Sequence, residues 1–192
     1  MSKRLILGAI LALALANPTL SDEVTDRIDE ARRSYEAGDL AAAEKALDSA
    51  GQLIRRKNGS RLTRFLPEPL SGWEAEDPQI ETGPVLGGGT LATRLYSKDD
   101  RAIEISIMVN SPMVQALTVV IDNPMMVGAS GKLLIVEGRK VLYMSDDGSM
   151  QAVLRKGSGS ALVQVLGGGD TPEDLLRDWF TAIDLDEIEA AL

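Results

Sequence analysis

Neither cysteine nor histidine occurs among the 192 residues. Their absence rules out the Ser/His/Asp and Cys/His catalytic groupings. It also rules out the thiolate and imidazole sites that usually hold zinc or haem. No disulfide can form, which fits a bacterial periplasmic protein better than a secreted eukaryotic domain. Positive charge is in deficit, with 20 Lys and Arg against 29 Asp and Glu and a net charge of −9. An acidic surface repels phosphate backbones and anionic headgroups, so nucleic acid is not an expected partner. After the first 16 residues no apolar run approaches the ~20 residues that a spanning helix needs. Carboxylates, Lys, Ser and Tyr remain available for catalysis. No sequence pattern gathers them into a site, so the expectation is a protein that is not an enzyme.

The chain begins with Lys3 and Arg4, then runs apolar from Leu5 to Ala16 and closes on Ala14-Leu15-Ala16. A basic start, a short apolar core and small residues at the −3 and −1 positions predict a signal peptide over 1–16, cut before Asn17. No cysteine follows the core to carry a lipid anchor. Loss of Lys3 and Arg4 with the leader would take the net charge from −9 to −11. The expected location is the periplasm.

Residues 22–56 read as two helices. Val24, Ile28, Ala31 and Tyr35 share one face, as do Leu40, Ala43, Leu47, Ala50 and Ile54. Gly38-Asp39 ends the first and can cap the second. Ala31, Gly38-Asp39, Ala43 and Ala50 resemble the spacing of a single tetratricopeptide repeat. Such repeats need about three copies to bury a core, so a lone hairpin over 17–61, docked on a second unit at 62–192, is expected. Residues 55–72 read as a link between them. From Trp73 the period becomes two. Ile103, Ile105, Ile107 and Val109 mark one strand, and Thr90 to Ser97 its partner across Lys98-Asp99-Asp100. Later strands follow at 133–137, 141–145, 150–155 and 161–166, with turns at Gly138, Asp146-Asp147-Gly148 and Gly157-Ser158-Gly159. Ser111 and Pro112 start a helix, and Asn123-Pro124 ends it. A last helix starts with Thr171 as its cap and Pro172 at its first position, and carries Leu175, Leu176, Trp179, Phe180 and Ile183. The fold class predicted is α+β: an N-terminal helical hairpin, then an antiparallel meander sheet with helices packed on one face.

This order resembles the PsbP/Mog1-type α+β sandwich. The stretch Leu66-Pro67-Glu68-Pro69-Leu70-Ser71-Gly72-Trp73, with Asn110-Ser111-Pro112-Met113, is similar to a group of bacterial periplasmic proteins of uncharacterised function. The resemblance covers about residues 62–185. Its motifs are structural, so it implies a fold and carries little functional weight.

Several segments offer candidate chemistry. Gly167-Gly168-Gly169, between a strand and a helix, stands where a phosphate can meet helix amides. Asp170, Glu173 and Asp174 would repel that anion, and a turn is the expected role. Asp146-Asp147-Gly148 and Asp99-Asp100 lack the spaced ligands of a calcium loop and read as hairpin turns. Arg55, Arg56, Lys57, Arg61 and Arg64 form a basic run that either complements the end of a helix or docks an anionic partner. Met108, Met113, Met125, Met126 and Met144 are candidates to line an apolar groove. Thioethers pack adaptably in cores and at interfaces, and they also suit copper(I). The resulting expectation is a non-enzymatic periplasmic accessory protein that binds a protein partner. The alternative is a small-ligand carrier for copper(I) or an apolar, lipid-like molecule.

Overall fold

The computed structural model describes residues 22–83, 87–128 and 131–192. The expected leader and its cleavage point lie outside them. Helix α1 (Glu23–Glu36) is capped by Asp22, whose carboxylate accepts from the Val24 N–H. Gly38 turns the chain with φ +79°, and Asp39 caps α2 (Leu40–Leu62) by accepting from Ala42 N at 3.0 Å. Ala31 of α1 and Ala43, Ala46, Ala50 and Leu53 of α2 are buried in the hairpin. The apolar stripes drawn from the sequence divide here. Alanine lets the two backbones approach closely, and the bulkier Ile28, Tyr35, Leu40, Leu47 and Ile54 are left outside the seam in water.

The segment 55–72, expected as a link, is helical as far as Leu62. No proline interrupts it before Pro67, and Gly59 explains why it can lie flat on the sheet. A Cβ on Gly59 would stand 2.3 Å from Ile80 Cγ2, so only glycine permits this approach. A short 3-10 turn (Thr63–Phe65) then delivers Phe65 and Leu66 to the main core.

The strands are β1 (Glu74–Ala75), β2 (Gln79–Thr82), β3 (Thr90–Lys98), β4 (Arg101–Val109), β5 (Gly131–Val136), β6 (Arg139–Met144), β7 (Ser149–Lys156) and β8 (Gly159–Leu166). They form one antiparallel sheet in the order β1-β3-β4-β8-β7-β6-β5, with β2 also on the outer side of β3. The β3–β4 register runs from Thr90↔Val109 to Lys98↔Arg101, between the two strands that the alternating pattern paired. Helix α3 (Pro112–Asp122) carries the chain from β4, in mid-sheet, to β5 at the far edge. The meander β5–β8 then returns to pair with β4.

Alternation gives the sheet two faces. Ile103, Ile105 and Ile107 of β4, Met150, Ala152 and Leu154 of β7, and Ala161, Val163 and Val165 of β8 enter the main core. Helices α4 (Glu173–Thr181) and α5 (Leu185–Ala191) cover it with Leu176, Trp179, Phe180, Leu185 and Ile188. On the opposite face Met108, Leu162 and Val153 meet Val114 and Leu117 of α3. Helices therefore lie on one face except for α3, which covers a smaller apolar patch on the other. Pro172 holds the cap position expected of Thr171, because the Thr171 hydroxyl turns back to donate to the Gly167 carbonyl. Asp184 starts α5 by accepting from Glu187 N at 2.8 Å.

Three aromatic rings meet inside the main core. Trp179 stands edge-on to Trp73 at 5.3 Å between centroids and lies 4.3 Å from Tyr96. Such pairs contribute about 0.5–1.5 kcal/mol each beyond the area they bury. The Tyr96 hydroxyl donates to Pro67 O at 2.7 Å. Burial pushes that hydroxyl up to about 12, against the opposing pull of Arg94. An unfolded tyrosine ionises near pH 10, so stability held below pH 10 is lost as pH rises from there through 12. Linkage puts the loss from Tyr96 alone at about 2 kcal/mol by pH 12. Denaturant unfolding between pH 9 and 12 should show this decline, and Tyr96→Phe should flatten it. An equal decline in both proteins would refute the assignment.

Candidate docking surface

Helix α3 has no charged residue from Pro112 to Ile121. Ser111 caps it, accepting from Met113 N at 3.3 Å. Val114, Leu117 and Ile121 face inward, and Met113, Ala116 and Val119 face water. The outer side is apolar apart from Gln115, and among the described residues Met113 and Val119 there stay exposed. The 3-10 turn Pro124–Met126 follows, with Met125 99% and Met126 58% exposed. The chain next closes on the start of β5. A Cβ on Gly131 would lie 2.5 Å from Val127 Cγ1 and 2.8 Å from Met144 Sδ. Met125, Met126 and Met144 thus belong to one corner of the molecule, where the chain leaves α3 and enters β5.

Strand β5 ends the sheet, and among the described residues no strand pairs with its outer side. Its turn to β6 is Glu137-Gly138, with φ +49° and +77°. In such a two-residue hairpin the flanking Val136 and Arg139 are a hydrogen-bonded pair. Leu134 and Lys132 therefore also bond inward, and the N–H and C=O groups of Leu133 and Ile135 point to the open edge. Ile135 is 67% exposed and stands on the α3 side of the sheet, since Leu134 and Val136 belong to the main core. The one charge on β5 does not guard this edge. Lys132 reaches Glu173 at 2.6 Å and lies over the Tyr143 ring at 5.0 Å. Lys132, and then Arg177, hold the Glu173 carboxyl below the usual carboxylate range.

The five methionines marked in the sequence occupy different environments. Met108 is buried beneath α3. Met113 stands at the N-terminus of α3, roughly 15 Å from Met125 and Met126 given the rise of a helix. Met144 is partly buried beside Gly131. The basic run is dispersed as well. Lys57 pairs with Asp22, and Arg55 and Arg56 line a depression with Asp48 and Gln52. Arg61 borders a different one with Phe65 and Leu192, and Arg64 stacks on Phe65 at 4.8 Å. The helix fans these charges around its axis. Leu133 and Ile135 were missed as candidates. The available signal was a six-residue apolar strand with a single charge, placed directly after the crossover helix.

A family-model scan, a search of curated proteins and a search of solved structures each return no match to this chain. Its chemistry is read from its own residues.

A depression of about 500 Å³ lies between α3 and the β6–β7 strands. Two ion pairs border it, Arg155 with Asp122 at 3.4 Å and Arg139 with Glu189 at 2.9 Å, and Glu137 and Lys140 also line it. Asp186, and then Glu189, hold the Arg139 guanidinium more firmly protonated. These contacts tie strands to helices. The glycine triplet 167–169 serves packing. A Cβ on Gly148 would fall 1.7 Å from Gly168 O, and one on Gly169 would fall 2.5 Å from Asp146 O. The Asp146-Asp147-Gly148 turn thus rests backbone to backbone on the approach to α4. Gly148 also has φ +60°. Gly148→Ala should therefore cost at least about 2 kcal/mol, read as a lowered midpoint in urea. Wild-type stability in that variant would contradict the close approach.

Proposed function

We propose that this chain is a non-enzymatic periplasmic accessory protein that binds another protein at the β5 edge and the adjoining α3–methionine corner. The observation that carries the reading is the open backbone of Leu133 and Ile135, flanked by exposed Ile135, Met125 and Met126. An uncovered apolar strand edge is a template for strand addition, and proteins that do not use one normally blunt it. The opposite edge of this sheet is blunted: β1 has two residues, Pro78 interrupts, and β2 carries Glu81. The partner's contribution is an extended apolar segment. Main-chain bonds to β5 supply affinity, and contacts to the methionines supply selectivity. Export of the chain rests on the Lys3-to-Ala16 pattern.

A photo-crosslinking residue at Ile135 or Met125, used in living cells, tests this reading. Each should give one adduct of defined mass, and the same residue at Ser158, in the exposed β7–β8 turn, should not. Adding Leu133→Pro removes an outward N–H and a half-buried side chain; an edge strand tolerates proline there, and adduct yield should fall at least tenfold while unfolding stays cooperative. Equal labelling from Ile135 and Ser158 would overturn the proposal. So would purified protein that carries stoichiometric copper or an extractable lipid, which is the behaviour of a carrier.

A further inference from the structure

The α1–α2 hairpin exposes a second apolar surface that uses none of the residues of the β5 corner. Ile28 and Tyr35 stand seven residues apart on α1, and Leu40, Leu47 and Ile54 repeat at seven on α2. Their exposures run from 44% to 69%. On each helix this set stands roughly 50–80° round from the buried alanine seam, in the same rotational sense. The helices run in opposite directions, so equal rotations bring both sets to the same side of the hairpin. Counted away from the Ala37–Asp39 turn, Tyr35 is level with Leu40, and Ile28 with Leu47. A seven-residue repeat in level layers is the pattern of helices that mesh side chains with other helices.

We infer that a second copy of this chain covers this face, the two hairpins forming an antiparallel four-helix bundle with α1 of each copy over α2 of the other. Three observations favour the same chain as occupant. The layers are self-complementary under a two-fold axis along the helices: Tyr35 of one copy meets Leu40 of the other, and Ile28 meets Leu47. Such an isologous contact closes on itself. The rims match in charge, because Arg32 lies three residues before Tyr35 and Glu44 four after Leu40, which places them within one residue, about 1.5 Å, of the same level. Arg32 is 61% exposed and pairs along α1 with Glu36 at 3.3 Å and Asp29 at 3.8 Å, so Glu44 would join an existing exposed cluster. A two-fold pair therefore sets Arg32 against Glu44 twice. Finally, the five apolar side chains offer on the order of 500 Å² per copy, so a pair buries ~1,000 Å² before its rim is counted, the lower bound of a specific interface.

Sedimentation velocity of the full chain, between about 1 and 100 μM, should show the average mass rising from one chain to two. Leu47→Glu and Tyr35→Glu replace exposed residues and should leave thermal unfolding unchanged at about 1 μM, where the wild type is a single chain. Each should raise the dissociation constant at least tenfold. Glu44→Arg should weaken the pair, and adding Arg32→Glu should restore it. A wild-type chain that stays single at 100 μM overturns the inference, as does a dimer that Leu47→Glu leaves intact. Failure of the double charge reversal to restore pairing overturns the α1-over-α2 arrangement. Crosslinking at β5 is indifferent to all of these results, so the two proposals fail separately.

Discussion

Everything on the core side of the sheet depends on the contact of Trp179 with Trp73 and Tyr96. The three rings come from α4, from the segment that follows α2, and from β3. They join parts of the chain far apart in sequence. The Pro67 carbonyl receives the Tyr96 hydroxyl at 2.7 Å and also an Arg94 N–H at 3.3 Å. That pins the residues between helix and sheet to the strand they cross. The arrangement has a cost. The Trp179 indole N–H is buried without a hydrogen-bond partner, a desolvation penalty of about 1–3 kcal/mol. The aromatic contacts and the full burial of Trp179 and Phe180 offset it.

A second theme is close approach of backbone. Ala31, Ala43 and Ala50 set the spacing of the hairpin, Gly59 lets α2 lie against Ile80, and Gly148 and Gly168 bring two turns into contact. Small residues here create contacts instead of flexibility. They also explain why Ile28, Tyr35, Leu40 and Leu47 stay outside: where alanines face each other the seam is too narrow for a larger side chain.

Period-two alternation made the long strands legible, because one buried face forces every second residue to be apolar; the turn between β3 and β4 is one residue shorter than expected, since Lys98 pairs with Arg101. Caps at Asp39 and Ser111 were legible for a similar reason, since their side chains satisfy the first free N–H groups of a helix. The sequence did not reveal that α3 crosses to the other face, because its apolar stripe shows which side of the helix is buried but not which face of the sheet receives it. It did not reveal that α2 continues to Leu62, because Gly59 reads as a breaker until Ile80 is seen against it. The candidate site was legible only in fragments. Met125 and Met126 could be marked by residue type. Their relation to Met144 depends on the contact at Gly131, and the open side of β5 depends on strand order, which local pattern does not encode.

The inequality of the two sheet margins limits assembly. One side is broken up by a proline, a two-residue strand and acidic groups, and the other keeps its hydrogen-bonding groups vacant. A filament needs a donor margin and an acceptor margin on each unit, so that every addition regenerates the end it consumed. Among the described residues this sheet has only one usable margin. Whatever strand occupies it, even that of an identical molecule, exhausts the supply, so growth of the sheet by strand addition stops after a single step.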